Sequence, residues 1–173
     1  MEVVSISLRR EDFVVNLYYG GIKTWGVGEL VFFLFYGFIS PAIADETDIR
    51  SRVPADKIEM AKNLTNPGSL DKGYIVAGKE IFMNKARCAM CHGEKGNGDS
   101  PMAAAFNPKP RDFTSMEWQK VRTDGEIFWA ITEGTEYGMI PFGGSLSEKE
   151  RWQVVNYIRE IGRLSNPTLA KGQ

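Results

Sequence analysis

Apolar residues recur at helical spacing in three segments of this chain. In the first segment, residues 70–85, Tyr74, Gly78 and Phe82 follow one another every four positions. Residues four apart lie on the same side of an α-helix, so the pattern predicts a helix with one apolar face. We therefore place the first helix of the domain over residues 70–85.

The second and third predicted helices each begin with a capping box. Residues 123–126 read Thr-Asp-Gly-Glu and residues 147–150 read Ser-Glu-Lys-Glu. In such a box the hydroxyl accepts from a free backbone N–H and the Glu side chain reaches back to the cap. Apolar residues follow both boxes at helical spacing, and Gly134 and Gly162 are expected to end the two helices.

The stretch between the first two helices, residues 93–122, is rich in Gly, Pro and Asn and has no segment that alternates as a strand. The prediction is therefore an all-α domain with three main helices and long loops. Three short helices offer too little apolar surface for a well-filled core, and long loops in a compact domain usually have a functional cause. We expect something other than side chains to fill its centre.

The N-terminal part of the chain has a different pattern. Residues 30–39 read LVFFLFYGFI without a charge, residues 40–44 read SPAIA, and polar residues follow. A short apolar region, a helix-breaking Pro and an Ala-x-Ala site are typical of a secretory signal peptide, so we interpret residues 1–44 as one, cleaved at its end. A retained membrane anchor over residues 25–44 is the alternative, since that length suffices to span a bilayer although Glu29 interrupts it.

Two further boundaries follow from polar stretches. Residues 1–22 carry acidic as well as basic side chains, unlike the usual start of a signal peptide, so a downstream translation start with Lys23 as the basic residue is a second hypothesis.

Residues 45–68 are polar and end at an Asn-Pro-Gly turn signal, which predicts a tail or linker with at most one helical turn. Residues 69–164 then form the domain and residues 165–173 a C-terminal tail.

Composition narrows the class of protein. The chain has 173 residues, of which 43% are hydrophobic and 25% charged, as in globular rather than disordered proteins. Its formal net charge of −1 argues against a nucleic-acid-binding module, which is usually strongly basic. With only two Cys and one His, the chain cannot form a multi-disulfide scaffold or a four-ligand Cys/His zinc site.

Those three residues all lie in one pentapeptide, Cys88-Ala89-Met90-Cys91-His92. Cys-x-x-Cys-His is the haem-attachment pattern of c-type cytochromes. Two thiols three positions apart can add to the two vinyl groups of one haem, and the adjacent His is then held under the iron as proximal ligand. A thioredoxin-like redox site would need a βαβ context, which the predicted elements lack.

With this motif, the segment from about residue 71 to 163 resembles class I c-type cytochromes of the bacterial, mono-haem type. The loop at residues 107–113 is similar to loops in bacterial members. Gly78 and Phe82 match the small and aromatic positions where the family's first helix crosses its last, with Tyr157 packing across. The resemblance implies the cytochrome c fold, in which three main helices and long loops wrap around one covalently attached haem c with its iron.

The residues alone leave the second axial ligand of the iron open. No second His exists, a thioether is the next candidate, and Met102, Met116 and Met139 remain once the Met residues beside the motif, in the tail and in the precursor segment are set aside. The family places its distal Met between the second and third helices, usually directly before Pro. The resemblance therefore implies Met139, although Ile140 intervenes before the Pro here. The expected haem-binding residues are Cys88, Cys91, His92 and Met139, with His92 and Met139 as the metal ligands.

Two further sets of contacts are implied without a choice among candidates. In the family a proline carbonyl accepts the side-chain N–H of the proximal His, and three prolines compete for this role: Pro101, Pro108 and Pro110. Four side chains are candidates to meet a haem propionate: Lys109, Arg111, Trp118 and Tyr137.

These features predict an exported electron carrier, periplasmic or otherwise extracytoplasmic, that passes single electrons between redox protein partners in a respiratory-type chain. It would not be an enzyme in itself and would have no catalytic residues. An iron that reacts with peroxide needs a distal acid or base, and the chain has no second His to serve as one. The alternative is a haem electron-relay subunit of a larger oxidoreductase complex. No nucleic-acid partner is expected, and membrane association only if residues 1–44 are retained.

Overall fold

The computed structural model describes residues 49–69 and 71–167. The predicted signal peptide, the start of the first predicted helix at Leu70 and most of the C-terminal tail lie outside the described residues. The α-helices are α1 (Ile58–Lys62), α2 (Lys72–Glu80), α3 (Ala89–His92), α4 (Met116–Val121), α5 (Asp124–Glu133) and α6 (Glu148–Ser165). The described part of the chain contains no β-strand, which agrees with the all-α prediction.

The crossing of α2 and α6 lies at the centre of the fold. A Cβ atom on Gly78 would lie 1.9 Å from the backbone oxygen of Gln153, so only glycine allows the two backbones to approach this closely. Phe82 is wholly buried and meets Tyr157 edge to face, with ring centroids 5.3 Å apart. The predicted roles of these positions at the helix crossing are confirmed.

Helix α2 continues into a π-helical turn, Ile81–Lys85, in which the N–H of Ala86 donates to the carbonyl of Ile81. At its other end the side chain of Asp71 caps the helix by accepting from the N–H of Tyr74. The predicted helix over residues 70–85 is therefore confirmed in its described part, with a widened last turn. Such turns are rare in soluble proteins and occur frequently beside functional sites.

Both predicted capping boxes are present. In α5 and α6 the cap hydroxyls of Thr123 and Ser147 accept backbone N–H groups, and the Glu residues three positions later reach back. Gly134 ends α5 as predicted, but Gly162 does not end α6, which runs on to Ser165. Gly162 instead makes room for Gln119, whose Cδ would lie 2.4 Å from a Cβ at this position.

Helix α4 is an element that the sequence analysis missed. It is six residues long and is capped by the hydroxyl of Ser115. Its Gln119 is buried and donates from Nε2 to the carbonyls of Phe113 and Ile158. A helix this short is marginal in isolation, so tertiary contacts rather than helical propensity hold it in place.

Residues 49–64 are also more ordered than expected. We expected at most one helical turn there, but a 3₁₀ turn, Ala55–Lys57, leads directly into α1. Ala61 is fully buried, and a Cβ on Gly125 of α5 would lie 1.9 Å from its carbonyl oxygen. The polar composition concealed this packing because only two side chains of the segment, Val53 and Ala61, are buried apolar groups.

Within the part of the chain that the structure describes, no helix combines the length and apolar character needed to cross a membrane.

Gly78→Ala is expected to destabilise the folded protein by about 1–3 kcal/mol, because the new methyl group forces α2 and α6 apart. Gly144 is the matched control, since a Cβ there would meet nothing within 4 Å. Gly144→Ala should change the free energy of unfolding by less than about 0.5 kcal/mol. Urea unfolding followed by circular dichroism measures both, and equal effects of the two substitutions would contradict the close crossing.

Candidate functional site

Both cysteines and the histidine of the chain lie on one short helix. Cys88 caps α3, and Cys91 and His92 form its end, where the N–H of His92 donates to the carbonyl of Cys88 at 2.9 Å. Arg87, just before the helix, has a left-handed backbone with φ of 52°. Gly93, with φ of 78°, ends the helix.

The ring of His92 is fixed by a hydrogen bond and a stacking contact. Its Nδ1 lies 3.1 Å from the carbonyl oxygen of Arg111, and its ring stacks on Phe113 with centroids 4.5 Å apart. A carbonyl can only accept, so Nδ1 carries the hydrogen and the lone pair of the neutral ring lies on Nε2. Burial lowers the pKa of His92 to about 4, against the opposing effect of the Arg111 carbonyl. The ring is therefore neutral at pH 7 and able to bind a metal through Nε2.

The acceptor for His92 differs from the expectation. None of Pro101, Pro108 and Pro110 provides it; the carbonyl of the residue after Pro110 does. The Pro110 carbonyl faces Gly98 instead, lying 2.5 Å from where a Cβ on that glycine would stand. The acceptor is thus the backbone next to one of the three candidate prolines, and residue spacing does not reveal which carbonyl faces the imidazole.

A cavity of about 470 Å³ opens beside α3. Its wall is mostly apolar and includes both cysteines, His92 and side chains from α5, α6 and the loops. Burial of Cys88 raises the pKa of its thiol to about 12, so this thiol is protonated at neutral pH. The apolar side chains of the lining include Phe82, Phe106, Phe113, Ile127, Ile131, Phe142, Val154 and Ile158.

Met139 reaches the same cavity from the loop after α5. The loop is tied back on itself, because the N–H of Thr135 donates to the carbonyl of Met139 at 2.9 Å. A Cβ on Gly134 would lie 2.4 Å from that carbonyl, and φ of Gly134 is 75°, so glycine is needed there on two counts. Of the other two candidate ligands, Met102 lines the cavity and is 44% exposed, whereas Met116 is not part of the described lining.

Three polar atoms of residues that line the cavity are buried and have no hydrogen-bond partner among the described residues. They are Trp118 Nε1, Arg122 Nε and Thr135 Oγ1. Burying an unpaired donor costs free energy, so such atoms indicate a group that is bound there. All three can donate, which fits a ligand that is apolar in its body and carries acceptor oxygens at an edge. Of the four propionate candidates, Trp118, Arg111 and Tyr137 line the cavity and Lys109 does not.

One wall of the cavity was not predicted from the sequence. Residues 50–53, which we call the strap, line it together with α3 and the Met139 loop. The strap is joined to α5 by Ser51, whose hydroxyl donates to the carboxylate of Glu126 at 2.8 Å. The only signal in the sequence was the pair of basic residues Arg50 and Arg52, which is equally typical of a solvated tail.

Comparisons with known proteins match this part of the chain. The family model for Cytochrome c matches residues 75–162. Thiosulfate dehydrogenase of Stutzerimonas stutzeri (strain A1501) is 29% identical over 102 residues, which cover 57% of this chain and 31% of that protein. A chain of the Kuenenia stuttgartiensis reducing HAO-like protein complex Kustc0457/Kustc0458 is similar with 30% identity and a TM-score of 0.48, over 57% of this chain and 46% of that chain. The chain thus spans less than half the length of either protein.

Glu126→Gln is expected to destabilise the protein by about 2–3 kcal/mol. Glu126 is buried and accepts from Ser51 and from Arg122 at 2.6 Å, and its loss leaves the Arg122 charge without its partner. Glu59→Gln is the control, because Glu59 pairs with Lys62 and their side chains are 85% and 46% exposed, and such surface pairs contribute less than about 1 kcal/mol. Denaturant unfolding at pH 7 measures both, and equal losses would contradict the role given to the buried pair.

Proposed function

Because this chain belongs to the cytochrome c family, we propose that it is an exported mono-haem electron carrier that passes single electrons between redox proteins in a respiratory-type chain. Membership of the family implies a covalently bound haem c with its iron, and a role in electron transfer. The observation that carries the proposal is the meeting of Cys88, Cys91, His92 and Met139 at one apolar cavity. When bound there, haem c supplies one-electron chemistry through its iron.

The residues that line the cavity suit the parts of this group. The thiols of Cys88 and Cys91 would attach it, and His92 would bind the iron through Nε2 while its Nδ1–H donates to the Arg111 carbonyl. That hydrogen bond fixes the ring plane and raises the basicity of the ligand nitrogen. The thioether of Met139 would be the second protein ligand of the iron, and Met/His ligation raises the reduction potential.

The unpaired donors support the same assignment. Haem carries two propionate groups, whose carboxylate oxygens accept hydrogen bonds. These oxygens would accept hydrogen bonds from three buried donors, Trp118 Nε1, Arg122 Nε and Thr135 Oγ1. The hydrogen bonds formed in this way would strengthen the binding of haem. The guanidinium of Arg122 is paired with Glu126 through Nη1, and its Nε can still donate.

Brief docking of redox partners would use the rim of the cavity. Met90, Tyr137 and Ile140 line the cavity and are 49%, 42% and 65% exposed. An exposed apolar rim suits short-lived contacts that bring two redox groups close. The formal net charge of the chain is only −1. Local contacts, rather than a strong overall electrostatic field, would therefore orient the partners.

Export is part of the proposal. Residues 1–44 would be a signal peptide, with a retained anchor as the alternative, and residues 69–164 the haem domain. The carrier would then act in the periplasm or another extracytoplasmic compartment. N-terminal sequencing of the mature protein distinguishes the two forms. A mature chain that begins at Asp45 supports cleavage, and one that retains residues 25–44 supports the anchor.

A second candidate function is that of a haem electron-relay subunit in a larger oxidoreductase. It is favoured by the likeness to thiosulfate dehydrogenase, of which the chain covers only 31%. Purification of the native protein at low detergent and low salt tests this, with mass spectrometry of what elutes alongside it. A free carrier elutes at its own mass, whereas a stoichiometric companion with a further redox cofactor supports the subunit.

Covalent attachment through the two cysteines is the first test. The haem of the unmutated protein should resist extraction with acidified acetone, because thioether bonds survive this treatment. Cys88→Ala combined with Cys91→Ala should give a protein from which any haem extracts completely. Mass spectrometry of the intact protein checks the result, and a covalent haem retained by the double variant would contradict the assignment.

Replacement of Met139 is the second test. In Met139→Ala the ferric charge-transfer band of sulfur ligation should disappear, the reduction potential should fall, and the reduced iron should bind carbon monoxide. Met116→Ala is the control, since Met116 is not part of the described lining, and it should leave all three observables nearly unchanged. Met102→Ala distinguishes the remaining candidate; if it alone abolishes the band, Met102 is the ligand.

A further inference from the structure

The strap, residues 50–53, precedes the segment that the family model matches but contributes to the wall of the same cavity. Its Val53 is 6% exposed and is among the buried apolar side chains. Residues 51–53 of the strap also line a neighbouring cleft together with Thr135, Met139 and Pro141. It therefore contacts the site on the side of the Met139 loop as well as on the side of His92.

On the His92 side, the strap is held by the loop that carries the acceptor for the imidazole. The buried guanidinium of Arg111 donates to the carbonyl of Arg50, while the carbonyl of the same Arg111 accepts from His92. Arg52 adds a second link, because its Nη2 donates to the carbonyl of Lys109 at 2.8 Å. Two strap residues thus fasten the stretch of backbone that orients the imidazole.

On the other side, the same Arg52 contacts the Met139 loop. Its guanidinium carbon lies 5.5 Å from the ring centroid of Tyr137, within the range of a cation–π contact. Tyr137 stands two residues before Met139, in the turn closed by the hydrogen bond from Thr135 to the Met139 carbonyl. One planar guanidinium therefore bridges the loops on the two sides of the cavity.

We propose that Arg52 is a positioning residue: by joining the Lys109 carbonyl to the Tyr137 ring, it holds the Met139 loop closed over the haem. The inference rests on the proposed function, because it assigns the strap a role at the haem site. When the loop opens, Arg52 must give up either its cation–π contact with Tyr137 or its charge-assisted hydrogen bond to the Lys109 carbonyl, because it cannot stay with both loops. Loss of the bridge should therefore accelerate opening about three- to ten-fold.

The experiment uses the ferric holoprotein and two readouts. The first is the limiting rate constant for cyanide binding at saturating cyanide, which reports how fast Met139 leaves the iron. The second is hydrogen exchange of the backbone amides in residues 134–143, which reports loop opening whatever the axial ligand is. Arg52→Gln should raise both about three- to ten-fold, and the control Arg163→Gln, which breaks an exposed pair with Glu160, should leave both unchanged.

Two further variants separate the bridge from the charge. Arg52→Lys keeps the positive charge, but a single ammonium cannot donate to the Lys109 carbonyl while lying over the Tyr137 ring, so both rates should stay raised. Tyr137→Leu removes the ring and should raise both rates. The double variant Arg52→Gln/Tyr137→Leu should show no more than the larger single effect, since both remove one contact.

The failure of the inference can be told apart from failure of the proposed function. If the unmutated protein lacks the sulfur charge-transfer band, the ligand assignment fails, and hydrogen exchange still decides the role of the strap. If the band is present and Arg52→Gln leaves both readouts unchanged, the positioning role is overturned while Met139 ligation stands. Full restoration of both rates by Arg52→Lys would show that charge alone acts and would also overturn the bridge.

Discussion

The helices and loops of this protein surround an apolar cavity of about 470 Å³ that side chains leave open. Helices α5 and α6 direct Ile131 and Ile158 both to the core and to this cavity. In water such a wall would be exposed, and apolar burial contributes about 25 cal/mol per Å². Haem c, which family membership implies, would cover it. The folded state and the bound cofactor are in this sense coupled, as for other groups that bind only the native state.

The close approach of α2 and α6 sets the frame around that cavity. Gly78 brings the backbones together, and the wholly buried Phe82 then lies between Tyr157 and Phe113. Phe113 in turn stacks on His92. A chain of aromatic contacts therefore leads from the helix crossing to the imidazole, so that packing and the orientation of the ligand are determined together.

Sequence patterns predicted the parts of the fold that depend on neighbouring residues. The two capping boxes and the apolar face of α2 are local signals, and the structure contains each of them. Helix α4 and the end of α6 could not be derived in this way, because both make distant contacts. Gln119 of α4 donates to the Ile158 carbonyl, and Asn166, which caps α6, donates to the Thr114 carbonyl. Local propensity carries no information about such contacts.

The candidate site likewise has parts that the sequence predicts and parts that it does not. The pentapeptide Cys88–His92 and the position of Met139 between α5 and α6 are visible in the sequence, and the structure brings them to one cavity. The acceptor role of the Arg111 carbonyl and the packing of the strap are not visible in the sequence, because both involve hydrogen bonds to backbone carbonyls. Contacts made by backbone atoms cannot be predicted from the types of residue that make them.

The most direct measurement is X-ray absorption at the iron K-edge of the purified ferric holoprotein. We expect a six-coordinate iron with five nitrogen ligands, four from the porphyrin and one from His92, and a single sulfur ligand from Met139. An iron without a sulfur ligand, or with two, would contradict the proposed site.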